Sequence, residues 1–501
     1  GHLKKVLLDP IVPKTARPGL PMTEPQSRTR LPLDSVTISQ ILKDAGYRTG
    51  FMGKWHLGFD PYIPDNFGFD VVVGGRGFPG PPPPGYFGPW DPERTNMPLV
   101  KGPVHADDAL AEQAIEFLKE SEGKDEPFFL ALWYFDVHAP YKGKEDLIEK
   151  YRLLAKETKH QKSAIMGAMV ETLDNNVGKV LDKLEELGLT EDTLVIFTSD
   201  NGGNMYDRPE GENPTSNYPL RAGKGNNHEG GIRVPLIVSW PDKVAENKQS
   251  DTIAISDDFF PTLLEVAGID PSADLLLDGV SLTSSFDGST VSRPPIYSMF
   301  GRTVLATGNY SNIWARDGKW KLFKFFNTGK DSADEYALYD LEADIGESSD
   351  LSLQNPEVTD RLKTFIERRL KEDKILVPKA NPNYNPTMQV QGWRILEGGY
   401  ILGGPNSKDV NIVSAGESVT MHYELPAGKK SEGVYEFSVT TNCAVSVVAG
   451  AGESPIFGAP LDILPNMQRQ KVRVPLPTGN ESGPVTIVFE LEQPGRLFIH
   501  P

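Results

Sequence analysis

Lysine and histidine occur together in a glycine-flanked segment, GKWHLG at residues 53–58. In an extended chain, the two-residue spacing puts Lys54 and His56 on the same side. A lysine ammonium suits an anionic oxygen, and a neighbouring histidine can transfer a proton. A turn with a surface lysine and a hydrogen-bonded histidine is the alternative interpretation, so this segment alone assigns no function.

Two further segments place polar side chains directly after apolar runs. His138 follows the run 128–135 and stands before Ala139-Pro140, a rigid turn that would direct it. Asp200 and Asn201 follow the run 193–198 and offer hard oxygen ligands for Ca²⁺ or Mg²⁺. A structural histidine and an ordinary Asp-Asn-Gly-Gly turn are the alternatives, and two oxygen ligands are not a complete metal site.

A glycine-rich segment, 220–235, exposes one more lysine, Lys224, just before a predicted strand. A single lysine in such a loop is weak evidence of anion binding. Because all four segments adjoin predicted core strands, their side chains could converge on one rim. Two lysines, two histidines and an Asp-Asn pair suit a tetrahedral oxyanion ester, since cations neutralise the oxygens and histidines handle protons.

The elements that must position these residues alternate up to about residue 270. Helices are expected at 37–45, 107–121, 164–187 and 258–267, and strands at 47–52, 128–135, 193–198 and 235–239. This alternation predicts an α/β fold, with a mostly parallel sheet sandwiched by helices. In such sheets the functional loops lie beyond the carboxyl ends of the strands, where the candidate residues fall.

The pattern changes twice after this region. Short strands within 313–341 and a helix at 356–371 predict a small antiparallel sheet-plus-helix subdomain. Strand-rich sequence with frequent turn signals predicts a C-terminal β-sandwich. We therefore expect domains at 1–295, 296–378 and 389–501, with an Asn- and Pro-rich linker at 379–388.

Composition excludes several classes of protein. The chain has 501 residues with 51 Lys+Arg and 69 Asp+Glu, a formal net charge of −18, which argues against nucleic acid as a partner. The longest apolar run, 128–135, is far too short to span a bilayer, so no membrane span is expected. The single cysteine, Cys443, excludes an intrachain disulfide framework and a cysteine-based zinc cluster.

The order of the motifs resembles the formylglycine-dependent sulfatases of the alkaline phosphatase superfamily. The matching segments are GKWHLG at 53–58, HAPY at 138–141, FTSDNGG at 197–203 and GKGNNHEGGIRVP at 223–235. The resemblance covers about residues 18 to 375. It implies a large α/β domain, a smaller sheet-and-helix subdomain and hydrolysis of a sulfate ester in a sulfated small molecule or glycan.

The resemblance also implies roles for particular residues. Asp200 and Asn201 would be two of the ligands of a Ca²⁺ ion. Lys54 and Lys224 would hold sulfate oxygens. His56 would contact a formylglycine hydrate, and His138 would face the leaving-group oxygen. His228 and Arg233 are expected to be structural or peripheral.

The sequence also departs from the family. Residues 1–53 contain neither the adjacent aspartates that complete the metal site nor the Cys-x-Pro-x-Arg segment whose cysteine becomes formylglycine. Cys443 lacks that context and is expected to be a buried small apolar residue. We therefore expect an N-terminal piece to be missing, and this chain to be silent or nearly so in catalysis.

Two other functions remain open from the sequence. One is a phosphodiesterase or phosphonate hydrolase of the same superfamily, which would use two metals. The other is a non-catalytic remnant whose C-terminal domain binds a glycan. The Pro-rich loop at 77–95 is equally compatible with a substrate wall and with a rigid polyproline loop. The sequence does not indicate an oligomeric state.

Overall fold

The computed structural model describes residues 22–25, 30–205, 213–303, 307, 309–326 and 333–382 with their side chains. Beyond residue 382 it describes the backbone of ten strands between 393 and 500. Cys443 and residues 1–21 lie outside the described residues, so the expectations about them stay predictions.

All five helices that the apolar spacing predicts are present, and the structure adds one longer helix, α4, and two four-residue helices, α2 and α6. Helix α5 begins after Ser163, whose Oγ accepts a hydrogen bond from the Met166 amide, and it is followed by Gly188 at φ +66°. The sequence analysis missed α4. In the described chain the α-helices are α1 (Ile38–Asp44), α2 (Pro92–Thr95), α3 (Ala106–Ser121), α4 (Glu145–Glu157), α5 (Ala164–Glu186), α6 (Glu229–Ile232), α7 (Phe259–Val266) and α8 (Pro356–Glu372), with 3₁₀ turns at Pro64–Phe67, Thr190–Asp192, Ser256–Asp258 and Thr283–Ser285.

Strands in the first 380 residues form several small sheets. They are β1 (Met22–Thr23), β2 (Arg48–Gly53), β3 (Val71–Gly74), β4 (Phe128–Trp133), β5 (Val195–Thr198), β6 (Leu236–Ser239), β7 (Ile296–Phe300), β8 (Asn312–Asp317), β9 (Trp320–Phe325), β10 (Glu335–Asp340) and β11 (Lys379–Ala380). Strand β2 lies between β3 and β4 and is parallel to both. All three strands therefore end at the same edge.

Strand β2 is buried on both faces, which explains its continuous apolar sequence. Met52 packs with Leu110 and Phe117 of α3 and with Met169 of α5. Phe51, which points to the opposite face, packs against an aromatic cluster that includes Trp55. The predicted cover on both sides of a parallel sheet is thus present around β2.

The pairing of β5 with β6 differs from the expected parallel order. These strands form a separate two-stranded antiparallel sheet in register Val195↔Ser239 to Thr198↔Leu236. A parallel pair needs a crossover connection, usually a long helix. Among the described residues between β5 and β6, the only α-helix is the four-residue α6, so the chain returns antiparallel.

A second unit follows the α/β part. Strands β7 to β10 form a four-stranded antiparallel sheet in the order β10-β9-β8-β7. Leu362 and Ile366 of α8 are buried against Ile313 and Leu322 of this sheet. The start of the expected linker is not free, because β11 pairs antiparallel with β1.

The C-terminal strands form two five-stranded antiparallel sheets, in the orders β12-β15-β20-β17-β18 and β13-β14-β21-β16-β19. Their packing into a β-sandwich stays a prediction. No helix among the described residues has the length and apolar character needed to cross a bilayer. The strands are β12 (Trp393–Glu397), β13 (Gly399–Leu402), β14 (Val410–Ser414), β15 (Ser418–Tyr423), β16 (Val434–Thr441), β17 (Val445–Ala451), β18 (Leu461–Ile463), β19 (Gln470–Pro475), β20 (Val485–Leu491) and β21 (Arg496–His500).

Candidate active site

Lys54 and His56 leave the carboxyl end of β2, as the sequence predicts. The Lys54 amide donates a hydrogen bond to the Trp133 carbonyl (2.9 Å), which ties this turn to the end of β4. Gly53 has φ +111°, and a Cβ there would overlap the same carbonyl, so the close approach requires glycine. His56 is exposed and adopts φ +49°, a left-handed conformation that costs a non-glycine residue about 1–2 kcal/mol.

His138 is held at the end of β4 by a tight turn. The Tyr86 hydroxyl lies 2.7 Å from the carbonyl oxygens of both Phe135 and His138. The Nδ1 atom of His138 is 2.6 Å from the Ala139 carbonyl, which can only accept, so Nδ1 carries the proton. In the neutral imidazole, Nε2 therefore carries the lone pair and is free to meet a proton donor.

Asp200, Asn201 and Lys224 come from two loops that lie against each other. The Gly202 amide donates to the Gly231 carbonyl (3.0 Å), and the Lys224 amide donates to the Gly203 carbonyl (3.0 Å). A Cβ on Gly202 would overlap the Gly230 carbonyl. The Asp-Asn-Gly-Gly segment therefore packs backbone to backbone against the glycine-rich segment 220–235, and this contact brings Lys224 beside the end of β5.

Electrostatics show that the candidate side chains share one rim. Burial lowers the pKa of Lys54 most, the charge of Lys224 lowers it further, and Asp200 opposes both. The pKa of His56 is lowered by burial and then by both lysines. Burial also lowers the pKa of His138, with further lowering from both lysines, while the Ala139 hydrogen bond and Asp200 raise it. Such interactions act over short range.

These findings place five of the six predicted residues together, with Asn201 next to Asp200. The charge of Lys224 disfavours the protonated form of Lys54, and the pKa values of both imidazoles lie below the usual value. At this rim, Asp200 supplies a carboxylate charge that opposes the charges of the two lysines. An anion that accepts hydrogen bonds from both ammonium groups would complete it.

The donor set after β5 fits part of a Ca²⁺ site. The side-chain nitrogen of Asn201 donates a hydrogen bond to the Gly202 carbonyl (2.9 Å). This bond uses the nitrogen and leaves the side-chain oxygen as an available metal ligand. Asp200 is exposed at the rim and supplies a carboxylate. Both are hard oxygen donors, but Ca²⁺ takes about six to eight of them. Asp200 and Asn201 therefore suit the ion and need further ligands.

His228 occupies a structural position, as expected. Its ring is buried and stacks on Phe323 at 4.8 Å, and Nδ1 lies 2.7 Å from the Asn226 side-chain oxygen. Burial lowers its pKa well below the usual value, and Arg221 lowers it further. Arg233 lies 3.7 Å from Glu229 in a partly exposed ion pair.

The sequence analysis missed a buried cluster of three titratable groups, His105, Asp107 and Asp136. Their potential ligand atoms lie within 4.8 Å of one another. The amides of Phe135 and Asp136 donate to the two oxygens of Asp107, at 2.9 and 2.7 Å. The one sequence signal is the His-x-Asp spacing at 105–107, because Asp136 joins the cluster only in the folded chain.

Burial controls the protonation of this cluster. The Asp107 amide donates to His105 Nδ1 (3.3 Å), so Nε2 carries the proton and lies 3.9 Å from Asp136 Oδ2. Burial lowers the pKa of His105 to about 4 and raises the pKa of Asp136 to about 10, with Asp107 raising the latter further. The cluster therefore supports the turn that holds His138 through the two hydrogen bonds that Asp107 accepts from backbone amides.

Comparisons with known proteins agree with this geometry. A family model described as Sulfatase matches residues 14–269, and one described as N-sulphoglucosamine sulphohydrolase, C-terminal, matches residues 223–374. The N-acetylgalactosamine-6-sulfatase of Canis lupus familiaris is 29% identical over 394 residues, 71% of this chain and 71% of the relative. Arylsulfatase A of Homo sapiens is 30% identical over 385 residues, 68% of this chain and 72% of the relative.

A solved structure is similar as well. It is the crystal structure of Ps i-CgsB in complex with k-i-k-neocarrahexaose, with 27% identity and a TM-score of 0.58, covering 70% of this chain and 77% of that one. The Sulfatase model alone spans about half of the 501 residues. The lysines and histidines of the rim lie within the region that the Sulfatase model matches. The chain therefore belongs to the sulfatase family.

Proposed function

We propose that the rim formed by Lys54 and Lys224 binds the sulfate group of a saccharide sulfate monoester, which the enzyme hydrolyses. The observation that carries this proposal is that Lys54, after β2, and Lys224, held against the segment after β5, lie close enough for the Lys224 charge to lower the pKa of Lys54, with His56 and His138 beside them. Bringing two like charges together costs free energy, which an anion between them recovers. A sulfate group offers several oxygens to both lysines at once.

The histidines would act on protons at the same place. His138 presents Nε2 with a lone pair, because its Nδ1 hydrogen bonds to Ala139. In that state His138 orients and accepts hydrogen bonds, and it acts as an acid only after a bound anion raises its pKa. His56 is the more exposed of the two and lies next to Lys54, where it can contact the group that attacks sulfur.

Asp200 and Asn201 would hold one Ca²⁺ ion, with the remaining ligands coming from outside the described residues. When present, the metal and a formylglycine hydrate supply charge neutralisation and the nucleophile. The described residues of this chain bind and orient the sulfate and manage the protons. We retain the proposal that the paired aspartates and the formylglycine precursor belong to a piece N-terminal to Gly1.

The outer edge of β4 supports that proposal. The Arg48 amide donates a hydrogen bond to the Pro127 carbonyl, and the Lys54 amide donates one to the Trp133 carbonyl. The odd-numbered residues of β4 therefore direct their backbone N–H and C=O groups toward β2. By the alternation of a parallel ladder, Leu130 and Leu132 point their amides the other way, where no described strand pairs with them. An added parallel strand there would end at the lysine rim.

We also propose three domains, at 1–295, 296–378 and 389–501. The break between β6 and β7 and the separate sheets after residue 392 support these boundaries. A saccharide substrate is favoured because one relative is named N-acetylgalactosamine-6-sulfatase and one similar structure holds k-i-k-neocarrahexaose.

Calorimetry with inorganic sulfate and with 4-nitrophenyl sulfate, each in the presence of Ca²⁺, tests the proposal. Losing a charged hydrogen bond costs about 1.5–3 kcal/mol, so Lys54→Met should weaken binding by roughly 10- to 100-fold. Lys43→Met is the control, because Lys43 pairs with Asp70 on the surface. Equal affinities for the two variants would refute the anion site.

Turnover separates the rivals. We expect little or no hydrolysis of 4-nitrophenyl sulfate by the 501-residue chain, and recovery when an upstream segment with the nucleophile motif is restored. Robust turnover by the chain alone would contradict the missing nucleophile. Faster hydrolysis of phosphate esters by the restored enzyme would favour the phosphodiesterase alternative. Glycan binding that persists in Lys54→Met would favour the non-catalytic alternative.

A further inference from the structure

The Pro-rich loop reaches the rim through two glycines. A Cβ on Gly80 would lie 2.9 Å from His138 Nδ1, so the loop backbone lies directly against that imidazole. Three residues earlier, a Cβ on Gly77 would lie 2.7 Å from the Gly58 carbonyl and 2.8 Å from the Phe59 ring. An extended chain spans at most about 3.6 Å per residue, so the three residues from Gly77 to Gly80 put these two contacts no more than roughly 11 Å apart.

Two aromatic rings and an arginine lie at the Gly77 end of this loop segment. Phe59 is 60% exposed although it is a large apolar side chain. Its ring meets the Phe78 ring edge to face, with centroids 5.9 Å apart at 89°. The Arg94 guanidinium carbon lies 5.8 Å from the centroid of Phe78. We call Phe59, Phe78 and Arg94 the platform.

Arg94 has no ion pair within the described ranges, although the chain as a whole is strongly acidic. When an exposed guanidinium lies over an aromatic ring, its N–H groups remain available to donate hydrogen bonds to a planar or tetrahedral anion. An exposed aromatic face beside a polar rim is typical of a ligand-binding surface. The combination suits a molecule with both an apolar face and a negative charge.

We propose that the platform is a saccharide subsite, in which the sugar next to the sulfated one packs on Phe59 while Arg94 binds an anionic group of the glycan. This inference rests on the proposed function of the lysine rim. A pyranose ring has an apolar C–H face that fits an aromatic side chain, and its sulfate or carboxylate substituent fits the guanidinium. The substrate class is therefore a polyanionic glycan, with a second charge about one sugar from the reacting sulfate.

The test compares oligosaccharide with inorganic sulfate. Affinities of the 501-residue chain are measured for a chondroitin 6-sulfate hexasaccharide, a carrageenan hexasaccharide and inorganic sulfate. We expect Phe59→Ala and Arg94→Gln each to weaken binding of at least one hexasaccharide by about tenfold, without changing the affinity for inorganic sulfate. Removing sulfate and carboxylate charges from the hexasaccharide should remove the effect of Arg94→Gln.

Matched controls come from α8 and the segment that precedes it. Arg368 is an exposed arginine 5.5 Å from the centroid of Phe365, so Arg368→Gln removes a similar cation and ring contact. Leu353 is 91% exposed, so Leu353→Ala removes a comparable exposed apolar side chain. Neither control should change any affinity.

Two outcomes would overturn the platform. One is that both platform variants bind the hexasaccharides as tightly as the controls do. The other is that neither hexasaccharide binds the unmodified chain more tightly than inorganic sulfate does. If instead Lys54→Met leaves sulfate binding unchanged while Phe59→Ala still weakens hexasaccharide binding, the proposed function fails and the subsite stands.

Discussion

Lys321 joins the loop of the candidate site to the second unit, and its removal should be costly. Its side chain is fully buried on β9, and its Nζ lies 2.8 Å from Glu229 Oε1 and 3.0 Å from Glu347 Oε1. It also donates to the Asn227 carbonyl (2.8 Å). Lys321, Glu229 and Glu347 form a buried ion triad. Because Glu229 begins α6, five residues after Lys224, the triad fixes the segment that positions Lys224, a proposed sulfate-binding residue.

The magnitude follows from burial. Lys321→Met leaves the buried Glu347 carboxylate without its ion pair to Lys321, and leaves Glu229 with only the longer contacts to Arg316 (3.5 Å) and Arg233 (3.7 Å). Breaking a buried ion pair costs about 3–5 kcal/mol. That is a large part of a typical stability of about 5–15 kcal/mol. Lys319 is two residues away, 43% exposed and 2.7 Å from Asp340, so Lys319→Met should cost less than about 1 kcal/mol.

Urea unfolding, followed by tryptophan fluorescence, measures both variants. We expect a clearly lower midpoint for Lys321→Met and a nearly unchanged midpoint for Lys319→Met. Adding Glu347→Gln to Lys321→Met should recover part of the loss, because the buried carboxylate charge that Lys321 compensated is then gone. Equal midpoints for the two single variants would refute the reasoning about the buried triad.

Three further outcomes are expected. The imidazole pKa of His138, measured by NMR, should lie below 6.5 and rise in Lys54→Met, and an unchanged value would show that the lysine charge does not reach it. Because folding lowers this pKa, the stability that the neutral ring contributes is lost as pH falls below about 6.5. Gly202→Ala should displace the loop and abolish sulfate binding, since its Cβ would overlap the Gly230 carbonyl; retained calorimetric binding would contradict this. Asp200→Ala should weaken Ca²⁺ binding at least tenfold by calorimetry, whereas an unaltered affinity would exclude this carboxylate as a ligand.

Local pattern was sufficient for much of the scaffold. The helical period of 164–187 and the apolar run ending at Trp133 predicted α5 and β4, because burial of one face or both faces dictates residue type at each position. Helix α4 was overlooked although its sequence is amphipathic. The antiparallel direction of β6 could not be predicted from strand composition, because it depends on the connection between β5 and β6.

The sequence by itself determined which residues are candidates for binding an anionic ester. Lys54, His56, His138, Lys224 and the Asp200-Asn201 pair follow strands or glycine-rich turns, and the order of their motifs identified the family. Only the tertiary structure decided that their charges act on one another, and that His138 keeps its proton on Nδ1. It alone brought Asp136 beside His105 and the Phe59 ring against the Phe78 ring. These relations depend on distances between residues far apart along the chain, and such distances arise only when the sheets and helices pack.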